Sequence, residues 1–177
     1  MAISSLAVFC GSKSGNNVLY REHAKQLGYM LAQKNITLIY GGSNKGIMGA
    51  VADAVLEKKG KVIGVMPKVL NGVEHSHTGI SEMYETEDMH SRKKMLYTKA
   101  DAALILPGGY GTMDELFEML TWNQLNIHDK KIFILNSAGF YNHLIAHLKM
   151  METENFLYKK MNEQVTIVSA PGELNLD

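Results

Sequence analysis

Residues 102–120 read AALILPGGYGTMDELFEML, and this stretch sets the fold class. Ala102–Leu106 is an unbroken apolar run, the pattern of a strand buried on both faces. Beyond Thr112, the residues Met113, Leu116, Phe117 and Leu120 recur at helical spacing and are expected to point inward. Between strand and helix stand three glycines, Gly108, Gly109 and Gly111. A single glycine is enough for a turn, so this density marks a backbone that something approaches closely.

The same unit repeats along the chain. Apolar runs at Leu6–Cys10, Thr37–Tyr40, Val62–Met66 and Lys131–Leu135 read as buried strands, and a weaker run at Val165–Val168 offers another. Tyr20, Ala24, Leu27 and Leu31 form one helical stripe; Met48, Val51, Ala52, Val55 and Leu56 form a second. Further helices are predicted over Met89–Lys99 and Tyr141–Glu154. Strand–helix alternation predicts a mainly parallel sheet with helices on both faces, an α/β fold of three layers. With 177 residues and 46% hydrophobic content the chain has material for one core, so residues 1–177 are read as a single domain. Pro67–Glu87, PKVLNGVEHSHTGISEMYETE, is rich in turn residues and reads as a loop or lid.

Composition narrows the function. Eighteen basic residues balance eighteen acidic ones, which argues against a broad nucleic-acid surface. The single cysteine, Cys10, excludes an intrachain disulfide framework and fits a reducing cytoplasm. The N-terminal MAISSLAVFCGSKSG has no basic lead and reads as a first strand rather than a signal peptide. No apolar stretch approaches the roughly 18 residues of a membrane span.

Ligands of such sheets bind beyond the carboxyl ends of the strands. Glycine-bearing turns fall there three times, at Cys10-Gly11-Ser12, Tyr40-Gly41-Gly42-Ser43 and Pro107–Thr112. Glycines let backbone N–H groups face outward, and the amides of a following helix start are unpaired, so together they suit a phosphate. Thr112 can add a hydroxyl. Thr112-x-x-Glu115 is also the spacing of a capping box, which would satisfy those amides internally. A cap needs none of the glycines, and their density favours the phosphate. Gly41-Gly42-Ser43-Asn44-Lys45-Gly46 lacks the Lys-Ser/Thr of a P-loop, and Gly109-x-Gly111 is followed by Asp114 where a dinucleotide motif needs glycine or alanine. A mononucleotide or sugar phosphate remains.

MHSRKKM (Met89–Met95) followed by PGGYGTMDE (Pro107–Glu115) resembles the paired signature of the LONELY GUY (LOG) family, the cytokinin riboside 5′-monophosphate phosphoribohydrolases once labelled possible lysine decarboxylases. YGGSNKGIMGAVADA (Tyr40–Ala54), TWNQLNIHDKKIFILN and GFYNHL extend the resemblance from about Val8 to Leu148. It implies a Rossmann-like single-domain sandwich, usually a homodimer. It also implies hydrolysis of the N-glycosidic bond of adenosine 5′-monophosphate or an N6-substituted analogue, with no metal and no cofactor. By motif position the catalytic arginine falls on Arg92 and the catalytic glutamate on Glu115. Substrate contacts fall on Lys93, Gly108, Gly109, Tyr110, Gly111, Thr112, Met113, Asp114 and Thr121, with Gly11, Ser12, Gly41 and Gly42 from the earlier turns. Many members carry Glu where this chain has Asp114, a side chain one methylene shorter. Residues 69–82 do not follow the family pattern firmly and are a candidate lining for the base.

The chemistry fits those residue types. Cleaving an N-glycoside builds positive charge on the ribose. A nearby carboxylate can stabilise that charge and activate water. Glu115, placed in the first helical turn, would be kept ionised by the helix N-terminus. Arg92 offers a planar fork for phosphate or for the carboxylate, and Lys94 reads as surface. His143 and His147 lack the internal glutamate of a zinc helix and read as a surface pair. His75 and His77 fall in the loop, and Cys10 reads as an inert buried thiol. Trp122 and Phe117 read as packing residues, in the core or at a dimer interface. A non-catalytic carrier of a nucleotide-like cofactor is the rival function, though phosphate binding alone does not call for Glu115. Decarboxylation would need a Schiff-base lysine for pyridoxal phosphate, and no arrangement suggests one.

Overall fold

A computed structural model describes residues 2–70 and 75–177. The strands are β1 (Ser5–Phe9), β2 (Thr37–Tyr40), β3 (Val62–Pro67), β4 (Glu82–Thr86), β5 (Ala102–Ile105), β6 (Ile132–Leu135) and β7 (Thr166–Val168). They form one sheet in the order β4-β3-β2-β1-β5-β6-β7, and every pairing is parallel. The helices are α1 (Val18–Gln33), α2 (Gly46–Glu57), α3 (Met89–Lys99), α4 (Tyr110–Gln124), α5 (Asn142–Thr153) and the short α6 (Met161–Gln164).

Strand alternation sorts the core into two layers. Leu6, Val8 and Cys10 face α1 and α2 together with Ala24, Leu27, Leu31, Val51 and Val55. Ala7 and Phe9 face the other way, toward Leu96 and Tyr97 of α3 and Leu116 and Met119 of α4. Leu6, Leu38 and Leu104 are fully buried, each worth about 1.5–3 kcal/mol relative to exposure.

One expectation fails. The stretch 67–87 is not all loop, because β4 lies within it and pairs from Ile63↔Glu82 to Pro67↔Thr86. An edge strand is paired along one side only, so it needs no apolar run. Glu82 and Glu85 on that edge also discourage pairing with another chain. Within the intervening connection, residues 71–74 lie outside the described residues. The part that follows is pinned to the turn after β2. Asn44 N donates to His75 O at 3.0 Å and His77 N to Gly42 O at 2.8 Å, while His77 Nε2 lies 3.0 Å from Asp53 Oδ1 on α2.

The strand order reverses between β1 and β5, which are neighbours although far apart in sequence. Their carboxyl ends are knitted together: Leu106 N donates to Phe9 O at 2.9 Å, and Gly11 N to Pro107 O at 3.0 Å. A crevice at such a reversal is where ligands of this architecture sit.

Candidate active site

The turn after β5 opens directly into α4. Gly109 is the N-cap residue, extended at φ −99°, and no side chain caps the helix. This disposes of the capping box. The helix begins at Tyr110, so Thr112 lies inside the first turn and Glu115 beyond it, past the reach of the unpaired amides. The three glycines differ in what they admit. A Cβ on Gly108 would run into Thr112 Oγ1, sit 2.7 Å from Thr112 Cβ and 2.9 Å from Gly11 N. A Cβ on Gly109 or Gly111 would meet nothing within 4 Å. The chain itself requires Gly108, whereas Gly109 and Gly111 leave their backbone open to an incoming group.

Glu115 and Arg92 come together from different elements. Both are buried, with Arg92 Nη1 3.9 Å from Glu115 Oε1. Arg92 Nε also donates to Val65 O of β3 at 3.1 Å. Its helix is fixed at the start by Asp88, whose carboxylate accepts from Ser91 N at 2.7 Å. Helical spacing puts Arg92 and Leu96 on the buried face of α3, so Arg92 shares a stripe with core residues. Burial pushes the Glu115 carboxyl up to about 7; Arg92 pulls it down, Asp114 pushes it up, Lys93 pulls it down and Glu118 pushes it up. The helix start therefore does not keep Glu115 strongly ionised as expected, because desolvation outweighs it. Burial also raises the Cys10 thiol, with the Glu115 charge adding to it, so that thiol stays protonated.

Lys93 and Asp114 meet each other. Lys93 Nζ donates to Asp114 Oδ2 at 3.0 Å and pairs with Glu118 Oε2 at 3.1 Å; Tyr97 OH donates to the same Glu118 oxygen at 2.6 Å. Burial lowers the Lys93 ammonium, but the hydrogen bonds to Asp114 and Glu118 outweigh it and raise the group above the ordinary lysine value. A lysine so held is poorly suited to form a Schiff base, which needs the neutral amine.

The remaining expected contacts divide. Gly11, Ser12, Gly108 and Gly109 line a cavity of about 260 Å³. Its other walls include Lys13, Tyr20 and Phe140, the two rings packed edge-on at 5.5 Å. Arg92 and Glu115 are not among its walls; Gly108, which is, also packs against Gly11 and Thr112. Tyr110 is almost wholly exposed and Met113 half-buried. Thr121 lies farther down α4, roughly 14 Å along its axis from Thr112 at about 1.5 Å per residue. There it lines an apolar groove with Phe117 and Leu120. Gly41 and Gly42 face protein: Arg92 Nη2 fills the space beside Gly41, and Met83 Sδ lies 3.1 Å from where a Cβ on Gly42 would be. Lys94, His143 and His147 are exposed, and Trp122 packs on Tyr97 at 4.8 Å between ring centres. Lys13, Tyr20 and Phe140 escape sequence reasoning as cavity walls because they come from distant parts of the chain, Tyr20 from α1 and the other two from turns, and no local pattern joins them.

The reversed strand order, with glycine turns closing both central strands, places the chain among the Rossmann-like α/β proteins. A family profile described as "Possible lysine decarboxylase" matches residues 48–175. The chain is 44% identical over 166 residues to the probable cytokinin riboside 5′-monophosphate phosphoribohydrolase LOGL1 of Oryza sativa subsp. japonica, covering 94% of this chain and 74% of that one. It is 42% identical over 171 residues to the cytokinin riboside 5′-monophosphate phosphoribohydrolase LOG1 of Arabidopsis thaliana, covering 97% and 79%. The chain belongs to the LONELY GUY (LOG) family. Among solved structures it resembles TM1055, with TM-score 0.72 and 22% identity over 96% of this chain and 95% of that one. It also resembles the Moco carrier protein of Chlamydomonas rheinhardtii, with TM-score 0.70 and 17% identity over 95% and 90%. At those identities the likeness shows the fold alone.

Proposed function

We propose that this chain is a nucleoside 5′-monophosphate phosphoribohydrolase. It hydrolyses the N-glycosidic bond of adenosine 5′-monophosphate or an N6-substituted, cytokinin-type analogue, releasing free base and ribose 5-phosphate. The observation that carries the proposal is the buried Arg92–Glu115 pair beside a glycine turn whose outer residues are open. Membership of the family, and the activity named for its relatives, support the same reading.

The amides of Gly109–Thr112 receive the 5′-phosphate, with Lys13 at the cavity rim adding positive charge. As the C1′–N bond breaks, the ribose gains positive charge and Glu115 faces it. Water attacks C1′, Glu115 takes its proton, and the departing base carries the bonding electrons and is protonated. A carboxyl at about 7 can accept and release that proton near neutrality. Arg92 orients the carboxylate and favours its ionised form. Lys93 and Asp114 tie α3 to α4 and so fix the separation of the pair. Residues 1–177 act as one catalytic unit in a reducing cytoplasm, and among the described residues no helix is long and apolar enough to cross a membrane. The groove of Phe117, Leu120, Leu148 and Met151, flanked by exposed Phe156 and Tyr158, supports a homodimer closed over this face. Light scattering that returned a monomer at micromolar concentration would remove the dimer from the proposal.

The test is incubation with adenosine monophosphate and its N6-isopentenyl analogue, with chromatographic assay of base and ribose 5-phosphate. Release should fall at least about 10³-fold in Glu115→Ala, the scale on which loss of a charge-stabilising group and a general base acts. Bound nucleotide with no release from the parent chain would instead make it a carrier.

A further inference from the structure

We infer that Gly41 is a positioning residue for Arg92: its missing side chain is the space in which the guanidinium lies against Glu115. The catalytic consequence rests on the Arg92–Glu115 reading above; the geometry does not.

A Cβ built on Gly41 would fall on Arg92 Nη2, far inside contact distance, with Met48 Sδ next at 3.2 Å. Both are the far ends of flexible side chains, and no backbone atom is among the nearest neighbours. Gly41 is also absent from the glycines with positive φ, which are Gly15, Gly42, Gly46 and Gly139. An alanine backbone is therefore unstrained there. The group that must yield to a methyl is the guanidinium. Arg92 is held at one side by Val65 O, 3.1 Å from Nε, and faces Glu115 Oε1 at 3.9 Å on the other. A side chain pushed from beneath cannot keep both. The neighbouring glycines differ in kind: a Cβ on Gly46 or Gly49 would strike the backbone of Ser12 or Asn44, which does not give way. At Gly41 the turn after β2 thus makes room for Arg92.

The experiment is a double-mutant cycle of the parent chain, Gly41→Ala, Arg92→Ala and the double variant, read by kcat/KM on adenosine monophosphate. Gly41→Ala should lose activity to within about tenfold of Arg92→Ala, while adding Gly41→Ala to Arg92→Ala should change it less than about twofold, because the vacated space accepts the methyl. Equal fractional losses in both backgrounds would overturn the inference and make Gly41 a nucleotide contact. A second readout is independent of catalysis. Arg21 and Arg92 are the only arginines, so the Nε–H of Arg92 is assignable by nitrogen-15 NMR. That proton, bonded to Val65 O, should exchange slowly in the parent and at least about tenfold faster in Gly41→Ala, as expected when a buried hydrogen bond is lost. Unchanged exchange overturns the positioning role. Changed exchange, with a parent chain that releases no base, sinks the phosphoribohydrolase proposal and leaves the positioning role standing. If Gly41→Ala fails to fold, a folded double variant identifies Arg92 as the source of the clash, and an unfolded one overturns the inference.

Discussion

Two glycine turns at the same edge of the sheet do opposite things. After β2, Gly41 and Gly42 are crowded by the chain's own Arg92 and Met83. After β5, Gly109 and Gly111 face open space at a helix start with no side-chain cap. In sequence both look like phosphate cradles. Glycine reports that something comes close to the backbone; it does not report whether that something is protein or ligand. The first turn admits the side chain of Arg92, and the second leaves its backbone open, where the proposed reaction places the phosphate.

Gly108 belongs with the first kind although it lies in the second turn, and it gives the largest expected effect. A methyl there meets Thr112 Cβ at 2.7 Å and Gly11 N at 2.9 Å, and backbone at the β1–β5 junction cannot step aside. Gly108→Ala should destabilise the chain by about 3 kcal/mol, the upper range for overpacking, measured by urea unfolding. A loss below about 1 kcal/mol would mean the junction is looser than these distances imply.

The pair that the two turns bring together has its own signature. Glu115 titrates near 4.5 when unfolded and at about 7 in the fold. Its folded value is raised, so the stability held below pH 4.5 is lost as pH climbs through 7 and ionisation of a buried carboxyl is forced. At about 1.4 kcal/mol per pH unit the cost approaches 3.5 kcal/mol. Glu115→Gln resembles the protonated form and escapes it. The variant should be inactive yet more stable than the parent at pH 8 by up to about 3.5 kcal/mol, with the gap closing toward pH 4.5. Parallel stability curves for the two proteins would show that Glu115 is not desolvated.

Much of this arrangement was legible in the sequence. The strands announced themselves because a strand buried on both faces must be apolar throughout, and α3 was readable to the residue, Met89–Lys99. β4 was hidden because an edge strand such as EMYET can be polar. The cavity walls Tyr20 and Phe140 were hidden because an aromatic contact between a helix and a turn far apart in the chain leaves no local pattern. The identity of Gly41's neighbour was invisible for the same reason. Glu115 was legible as a residue and not as a titrating group: proximity to a helix start is a sequence property, whereas desolvation depends on everything that packs around it.

The smallest expected effect cuts most directly between the two turns. Gly111 lies inside α4, and a Cβ there meets nothing within 4 Å. Alanine is the better helix former, so Gly111→Ala should stabilise the chain by up to about 1 kcal/mol in urea unfolding. The same methyl stands in the space through which a phosphate would reach the amides. Affinity for adenosine monophosphate, measured by calorimetry on a Glu115→Gln background that holds substrate without turnover, should fall by about tenfold, or roughly 1.4 kcal/mol. Stability and binding then move in opposite directions at Gly111. At Gly41, by contrast, a methyl should cost catalysis by displacing a side chain, and in the absence of Arg92 it should change activity less than about twofold. If Gly111→Ala binds as well as its parent, the open glycines are not where the phosphate sits, and the distinction between an internally filled turn and a ligand-filled one collapses.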